Sequence, residues 1–267
     1  MCSYYKELII QLIKEGDLWE KLGLTEDAEL VFRKTDQSSP QESRIKDSKC
    51  YFSIHLRNDI GDLTEKFTKL IEDKIYVQND TEWRDDERAI NKRWALGGFG
   101  IVTRETIKES KDNGKRRYRC TGFDSGHILA QRLFRKNCTS VSLNYNNVDN
   151  IYPQTGLSNE GSTYGKDNSI ENQTYFESWL ENVVDETGKE YFYRAKLVYG
   201  KDDSEIVPRG IRLQAVEIRR NEQKITLGQN TLFNVFVPNI TNKDLLNYHI
   251  IEAKKDENGK CLILKET

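Results

Sequence analysis

The order of the apolar segments after residue 91 limits the fold more than any other feature of this 267-residue sequence. One helix is predicted at 173–184, because its apolar residues form two adjacent rows at a spacing of four. Strands are predicted around it, at 94–104, 116–121, 192–199, 211–218 and 232–237. The turn Asn113-Gly114 predicts that the first two strands form a hairpin. Strands, a helix and strands again favour an α+β fold with an antiparallel sheet.

The first 90 residues differ in pattern and are predicted to form an acidic, mainly helical region. Apolar residues recur at helical spacing near the start of the chain and again over 63–71, and a short strand is expected at 50–56. The charged segment 79–88 is the expected boundary. The chain is therefore divided into a region at 1–90 and a second domain at 91–267.

The composition excludes several classes of protein. With 36% hydrophobic and 31% charged residues the chain is too polar for a membrane protein, and with 10% aromatic residues it is too aromatic for a disordered one. Its five cysteines form no CxxC pair, so neither a disulfide framework nor a zinc knuckle is indicated. The apolar cluster at the N-terminus is shorter than a secretory signal requires. A cytoplasmic location is expected, with export by a route without a cleaved signal left open.

Charge is distributed unevenly, although the formal net charge is only −2. Residues 1–90 carry 14 basic and 20 acidic side chains, whereas residues 103–136 carry ten basic and four acidic ones. A basic stretch of this kind is typical either of a solvated face or of a surface that binds nucleic acid. Three uses of the acidic region stay open: it restrains binding at the basic stretch, recruits a basic partner, or completes the hydrophobic core.

The sequence contains only three histidines, and one of them differs from the others. His55 and His249 lie in strand-like apolar runs, where a structural role is the simplest interpretation. His127 ends the glycine-containing segment 122–127, which is predicted to be a turn after a basic strand. Because histidine titrates near neutral pH, a histidine at such a turn can act as a general base toward a bound phosphate.

Three motifs follow one another in order around His127. They are Asp124-Ser125-Gly126-His127, a segment that runs from Asn150 through Gln154-Thr155 to Asn159, and the segment Asn172–Glu177, which ends in the aromatic-acid pair Phe176-Glu177 in the predicted helix. In these motifs the sequence resembles the DNA/RNA non-specific endonuclease family of the ββα-metal class, most closely its bacterial DNase branch. The similarity extends over residues 92–240 and includes the predicted strands at 192–199 and 232–237.

The resemblance implies a fold and a reaction. The fold would be α+β, an antiparallel sheet with a ββα-metal finger, preceded by the mainly helical N-terminal region. The reaction would be Mg²⁺-dependent hydrolysis of phosphodiester bonds in DNA that leaves 5′-phosphates. RNA is left open as a second substrate, and Mn²⁺ as an alternative ion.

Carried over position by position, the resemblance makes His127 the general base and Asn159 the protein ligand of one Mg²⁺ ion. Asn150 would fix the loop of the metal finger, and Glu177 would orient metal-bound water. An amide oxygen is a hard ligand and Mg²⁺ keeps several waters, so a site with one Asn suits this ion. The residues expected to contact nucleic acid are Arg116, Arg117, Arg119, Arg132, Arg135, Lys136 and Gln154.

The sequence departs from the family at three points, one of which is that relatives are mostly secreted whereas no secretory signal is expected here. Ser125 stands where the family has Arg, so either Arg132, Arg135 or Lys136 supplies the phosphate-binding charge or the activity is low. The span from Asn159 to Glu177 is longer than is usual in the branch.

Two alternative functions stay open. The chain is an intracellular defence or toxin nuclease that an inhibitor or immunity protein controls through the N-terminal region, or it is a decayed nuclease fold that only binds nucleic acid. No membrane partner is expected, and the sequence leaves the oligomeric state open.

Overall fold

Helices and strands are well defined in the part of the chain that the computed structural model describes. That part comprises residues 2–24, 53–56, 61–73, 77–79, 83–85, 93–107, 123–134, 150–159, 171–202, 205–221, 224–241, 250–255 and 262–266. Its helices are α1 (Cys2–Gly16), α2 (Gly61–Asp73), α3 (Arg104–Ile107), α4 (Gly156–Asn159) and α5 (Gln173–Thr187). Its strands are β1 (Ile54–His55), β2 (Val77–Asn79), β3 (Trp83–Asp85), β4 (Arg93–Ala95), β5 (Gly97–Val102), β6 (Asp124–His127), β7 (Ile151–Gln154), β8 (Tyr191–Val198), β9 (Gly210–Arg220), β10 (Ile225–Pro238), β11 (Ile250–Lys255) and β12 (Leu262–Glu266).

A six-stranded sheet in the order β1-β10-β9-β8-β5-β2 forms the centre of the fold, and all its neighbouring strands are antiparallel. The long strands β8, β9 and β10 follow one another in the chain and pair in that order, as short connections favour. They correspond to the strands predicted at 192–199, 211–218 and 232–237. The α+β class with an antiparallel sheet is confirmed.

Alternate side chains of this sheet enter two separate hydrophobic cores, because successive residues of a strand point to opposite faces. On one face, Tyr193 of β8 and Ala215 of β9 belong to the core that includes α1 and α5. On the other face, Phe192 and Val216 pack with α2, whose Phe67 ring lies 5.7 Å from that of Phe192. The sheet is therefore covered by helices on both faces.

The elements of the N-terminal region are built into this architecture. Strand β1 pairs with β10 and forms one edge of the sheet. From α1, the side chains of Ile9, Leu12 and Ile13 are fully buried in the same core as α5. The predicted boundary at residue 91 thus separates segments that share a core.

The structure bears on two local predictions. Strand β5 pairs with β2 on one side and with β8 on the other, and segment 116–121, the predicted hairpin partner of 94–104, lies outside the described residues. The charged segment 79–88 contains the end of β2 and all of β3, which pairs with β4, because pairing to a neighbouring strand outweighs the low strand propensity of charged residues. Among the described helices, none is both long and apolar enough to cross a membrane.

Candidate active site

His127 is the last residue of β6, in a two-stranded ribbon with β7. The pairing runs from Asp124 opposite Gln154 to His127 opposite Ile151. The backbone at His127 is therefore extended, which corrects the expectation of a turn, since the ladder to β7 fixes it. His127 as a whole is partly exposed, whereas its ring nitrogen Nε2 is buried.

Asn150 holds the chain that follows His127. Its Oδ1 accepts a hydrogen bond from the Leu129 backbone N–H at 2.9 Å, and its Nδ2 donates to the Leu129 carbonyl at 3.0 Å. Its own carbonyl accepts from the Ile128 N–H at 2.9 Å. Asn150 is completely buried, so these bonds satisfy groups that water does not reach. This two-way contact supports the expected role in fixing the loop.

Gln173, in the first turn of α5, connects the ribbon to the helix through four hydrogen bonds. Its Nε2 donates to the backbone oxygen of His127 at 2.6 Å and to Oε1 of Glu177 at 2.7 Å. Its Oε1 accepts from the Tyr152 hydroxyl at 2.8 Å and from Nε2 of Gln154 at 2.9 Å. Only 2% of Gln173 is exposed, so the whole hydrogen-bonding capacity of its amide is used inside the protein.

Glu177 is a buried carboxyl group one helical turn after Gln173. Burial raises its pKa to about 7, while the charge of Arg132 and the hydrogen bond from Gln173 act in the opposite direction. Burial also raises the pKa of the neighbouring Tyr152 and Tyr193 hydroxyls well above their usual range. Of these three acidic groups, Glu177 is therefore the one that changes charge near neutral pH.

Arg132 supplies positive charge beside the helix. Its Nη1 donates a hydrogen bond to the Ser178 hydroxyl and lies 4.0 Å from Oε2 of Glu181. The guanidinium therefore faces α5 and offsets the acidic side chains there. One third of the Arg132 side chain is exposed.

Asn159 ends α4, a single helical turn that is held at its start by Thr155. The Thr155 carbonyl accepts from the Asn159 N–H at 2.9 Å, and its Oγ1 accepts from the Ser158 N–H at 3.2 Å. Thr155 is itself tied to the end of β10, because its hydroxyl donates to the Ile240 carbonyl at 2.7 Å and its N–H donates to Oδ1 of Asn239 at 2.9 Å. The end of β10 thus sets the position of Asn159.

Gln154 is placed beneath the site and not at its surface. It is completely buried and donates to Gln173 at 2.9 Å and to the Ser158 hydroxyl at 3.3 Å. This arrangement offers no amide group to a nucleic acid, because the side chain points from β7 toward α5, and we interpret Gln154 as a support of the site. The other predicted contacts Arg116, Arg117, Arg119, Arg135 and Lys136 lie outside the described residues.

Sequence reasoning assigned no role to Gln173. The one available signal is its spacing of four from Glu177, which places both side chains on one face of the helix. Its contacts with His127, Tyr152 and Gln154 depend on how α5 packs against the ribbon, and no local pattern reports that packing.

Comparisons with known proteins agree with the motifs. The family model described as DNA/RNA non-specific endonuclease matches residues 76–258, which is more than half of the chain. A search of curated proteins gives no match. Among solved structures the chain is similar to NucA from Streptococcus agalactiae without metal, with 23% identity over 65% of this chain and 74% of that chain and a TM-score of 0.46.

Two further structures hold a metal ion. NucA from Streptococcus agalactiae with a magnesium ion bound shares 22% identity over 65% of this chain and 74% of that chain, with a TM-score of 0.47. The Sda1 nuclease with a bound zinc ion shares 14% identity over 70% of this chain and 79% of that chain, with a TM-score of 0.40.

Proposed function

Since the chain belongs to the DNA/RNA non-specific endonuclease family, we propose that it cleaves DNA with Mg²⁺ as cofactor, His127 as general base and Asn159 as the protein ligand of the ion. Hydrolysis of phosphodiester bonds follows from the family itself. What we propose is the identity of the metal ion, of the general base and of the protein ligand. RNA is tested as a second substrate.

One observation carries the proposal: the amide of Gln173 is hydrogen-bonded both to the backbone of His127 and to the carboxyl group of Glu177. Gln173 and Glu177 lie 46 and 50 positions after His127 in the sequence, and the Gln173 side chain contacts both the His127 backbone and the Glu177 carboxyl group. Charged and titratable groups in a shared, partly buried site are what general acid–base chemistry requires.

The residues present fit a hard divalent ion. Among the described residues the side chain of Asn159 makes no hydrogen bond, so its amide oxygen remains available as a ligand. Asp124 lies beside the start of α4, since a Cβ at Gly156 would be 3.3 Å from its Oδ2. Within the described part of the chain no three side chains of His, Cys, Asp or Glu gather in one place. A site with Asn159 as protein ligand and water for the rest suits Mg²⁺, which takes few protein ligands.

The chemistry of the side chains follows from their protonation states. Neutral His127 removes a proton from the attacking water as the new bond to phosphorus forms and the bond to the 3′ oxygen breaks. The 3′ oxygen takes a proton from solvent. The ion, when bound, stabilises negative charge on the phosphate and on the departing oxygen. Arg132 adds a positive charge beside α5, and Glu177, when ionised, would orient the water bound to the ion.

The direct test incubates the purified protein with plasmid DNA and with RNA, in Mg²⁺, in Mn²⁺ or in chelator. We expect cleavage with the ions and none with chelator. His127→Ala should lower the rate by about 10²–10⁴-fold, since that is the usual contribution of a general base. His55→Gln, which also removes one imidazole, is the control. A folded His127→Ala protein that cleaves at the parent rate would overturn the assignment.

The metal ligand is tested separately by calorimetry with Mg²⁺. Asn159→Ala should lose binding of the ion, whereas Asn159→Asp should retain it because a carboxylate oxygen is also a hard ligand. If Asn159→Ala binds Mg²⁺ as the parent does, Asn159 is not the ligand, and Asp124 would be tested next.

A further inference from the structure

Gln173 is the residue at which the β6–β7 ribbon and helix α5 meet, and the resemblance that suggested the function assigns it no role. It contacts the backbone of His127, the carboxyl group of Glu177 and two buried side chains of β7. Building on the proposed function, we propose that Gln173 is a positioning residue that holds the backbone of His127 and the carboxyl group of Glu177 in one fixed arrangement.

The orientation of the Gln173 amide is determined by its neighbours. A backbone carbonyl has no hydrogen to donate, so the oxygen of His127 requires an N–H group facing it. The carboxylate of Glu177 requires the same, and both lie on the Nε2 side of the amide. The Tyr152 hydroxyl and the Gln154 amide donate to the Oε1 side. Every bond therefore demands the same orientation.

Other side chains cannot reproduce this set of contacts. Glutamate has the same length but no N–H groups, asparagine is shorter by one methylene, and methionine has neither donors nor a strong acceptor. Because Gln173 is only 2% exposed, water does not replace the lost hydrogen bonds. The position thus requires glutamine for geometric and chemical reasons.

Loss of the Gln173 amide changes the environment of Glu177 in a defined direction. The groups that interact with this carboxyl are Arg132, Gln173, Tyr193, Glu181 and Tyr152. Gln173 donates a hydrogen bond, which favours the ionised form. Without it the carboxyl group should titrate at higher pH, and it becomes free to leave its present position.

The experiment compares Gln173→Met with a matched control, Asn172→Ala. Asn172 is the adjacent residue and caps α5 by accepting from the Tyr175 N–H at 2.9 Å, so its loss weakens the same helix without touching His127 or Glu177. The measurements are kcat and KM for DNA cleavage in Mg²⁺, thermal unfolding, and the titration of the Glu177 carboxyl by ¹³C NMR in metal-free protein.

For Gln173→Met we expect kcat to fall about 10–100-fold, as misplacement of reacting groups typically causes, with KM changed less than about threefold. The titration midpoint of Glu177 should rise by about one pH unit. Asn172→Ala should lower the unfolding temperature while kcat and the midpoint stay at parent values. If Gln173 only stabilised the fold, Gln173→Met and Asn172→Ala would not differ in their effects on kcat and on the titration midpoint of Glu177.

Two results would overturn the proposal: a folded Gln173→Met protein with parent kcat and parent titration, or an equal change in both measurements for Asn172→Ala. If Gln173→Met does not fold, Tyr152→Phe is measured instead, because it removes one donor to Gln173. It should lower kcat and raise the titration midpoint of Glu177, each by less than is expected for Gln173→Met. Parent values of both quantities in Tyr152→Phe would overturn the proposal. An inactive parent would count against the proposed function instead, and the titration would still decide the role of Gln173.

Discussion

At the scale of single residues, amide side chains organise the site. Asn150 and Gln173 each use both ends of the amide, Asn150 toward the backbone of Leu129 and Gln173 toward β6, β7 and α5. An amide offers donors and acceptors in one rigid plane without a charge, so a fully hydrogen-bonded amide joins backbone and carboxyl groups in a buried place at a lower desolvation cost than a charged group.

The buried carboxyl group of Glu177 predicts how stability depends on pH. Its pKa of about 7 lies above its ordinary value of 4.5, so the folded state binds this proton more tightly than the unfolded state does. The stability that the folded state gains from this bound proton is fully present below about pH 4.5 and is lost as the pH rises through about 7. Glu177→Gln removes the charge and should be more stable than the parent at pH 8, by on the order of 3 kcal/mol.

Urea denaturation between pH 4 and 8 in chelator measures this difference, since a bound ion would favour the charged form. Glu186→Gln, near the exposed end of the same helix, controls for the loss of one carboxyl group from α5. If the Glu177→Gln and parent curves stay parallel over the whole range, the carboxyl group is not held as the structure indicates.

At the scale of elements, the ribbon of β6 and β7 depends on a glycine. A Cβ at Gly126 would lie 2.7 Å from the Cβ of Gln154 and still closer to its Oε1. Gln154 in turn donates to Gln173, so the close approach of the two strands at this point is what lets the ribbon reach α5. The Asp124-Ser125-Gly126-His127 motif therefore requires glycine at position 126, because any larger residue would collide with Gln154.

We predict that Gly126→Ala displaces Gln154 and destabilises the protein by about 1–3 kcal/mol, the usual cost of overpacking. Cleavage should fall as well, because the support of Gln173 is lost. Urea denaturation and plasmid cleavage measure the two effects. Gly156→Ala is the matched control for stability, since its Cβ would meet only Oδ2 of Asp124, at 3.3 Å. Equal stability of the two variants would contradict the prediction.

At the scale of the whole molecule, helix α1 is hydrogen-bonded to Arg209, which forms a buried ion pair with Glu205 in the segment between β8 and β9. Arg209 and Glu205 are 7% and 1% exposed, with Nη2 and Oε1 2.6 Å apart. Arg209 also donates to the Leu12 carbonyl of α1 at 3.2 Å, and the Gly16 carbonyl accepts from the Lys201 N–H at 3.0 Å. With the apolar side chains of α1 in the main core, these contacts favour the third use of the N-terminal region, completion of the fold.

Arg209→Met should destabilise the protein by about 3–5 kcal/mol, because it leaves the carboxylate of Glu205 buried without its partner. The double variant Glu205→Gln with Arg209→Met removes both charges and should be less destabilised than the single one. Denaturation gives the free energies, and hydrogen exchange of the α1 amides shows whether the helix loosens. Additive effects of the two substitutions would contradict a coupled pair.

Much of this protein follows from sequence patterns that are local. The rows of apolar residues predicted helix α5, the apolar runs predicted β8, β9 and β10, and the spaced motifs identified the family and drew attention to His127. A helical or strand period reports which side of a segment is buried, and a motif reports residue types at fixed spacing. Neither requires knowledge of what the segment packs against.

The tertiary structure decided the rest, because partners distant in the sequence determine it. Strand β5 pairs with β2 and β8, which are distant from each other in the sequence, and α1 packs in the same core as α5. Gln154, which was expected to contact nucleic acid, is a buried support, and Gln173, to which no role was assigned, links β6 to α5. Such roles depend on which faces of the helices and strands pack together in the folded protein. Packing between segments determines this, and the sequence of a single segment does not.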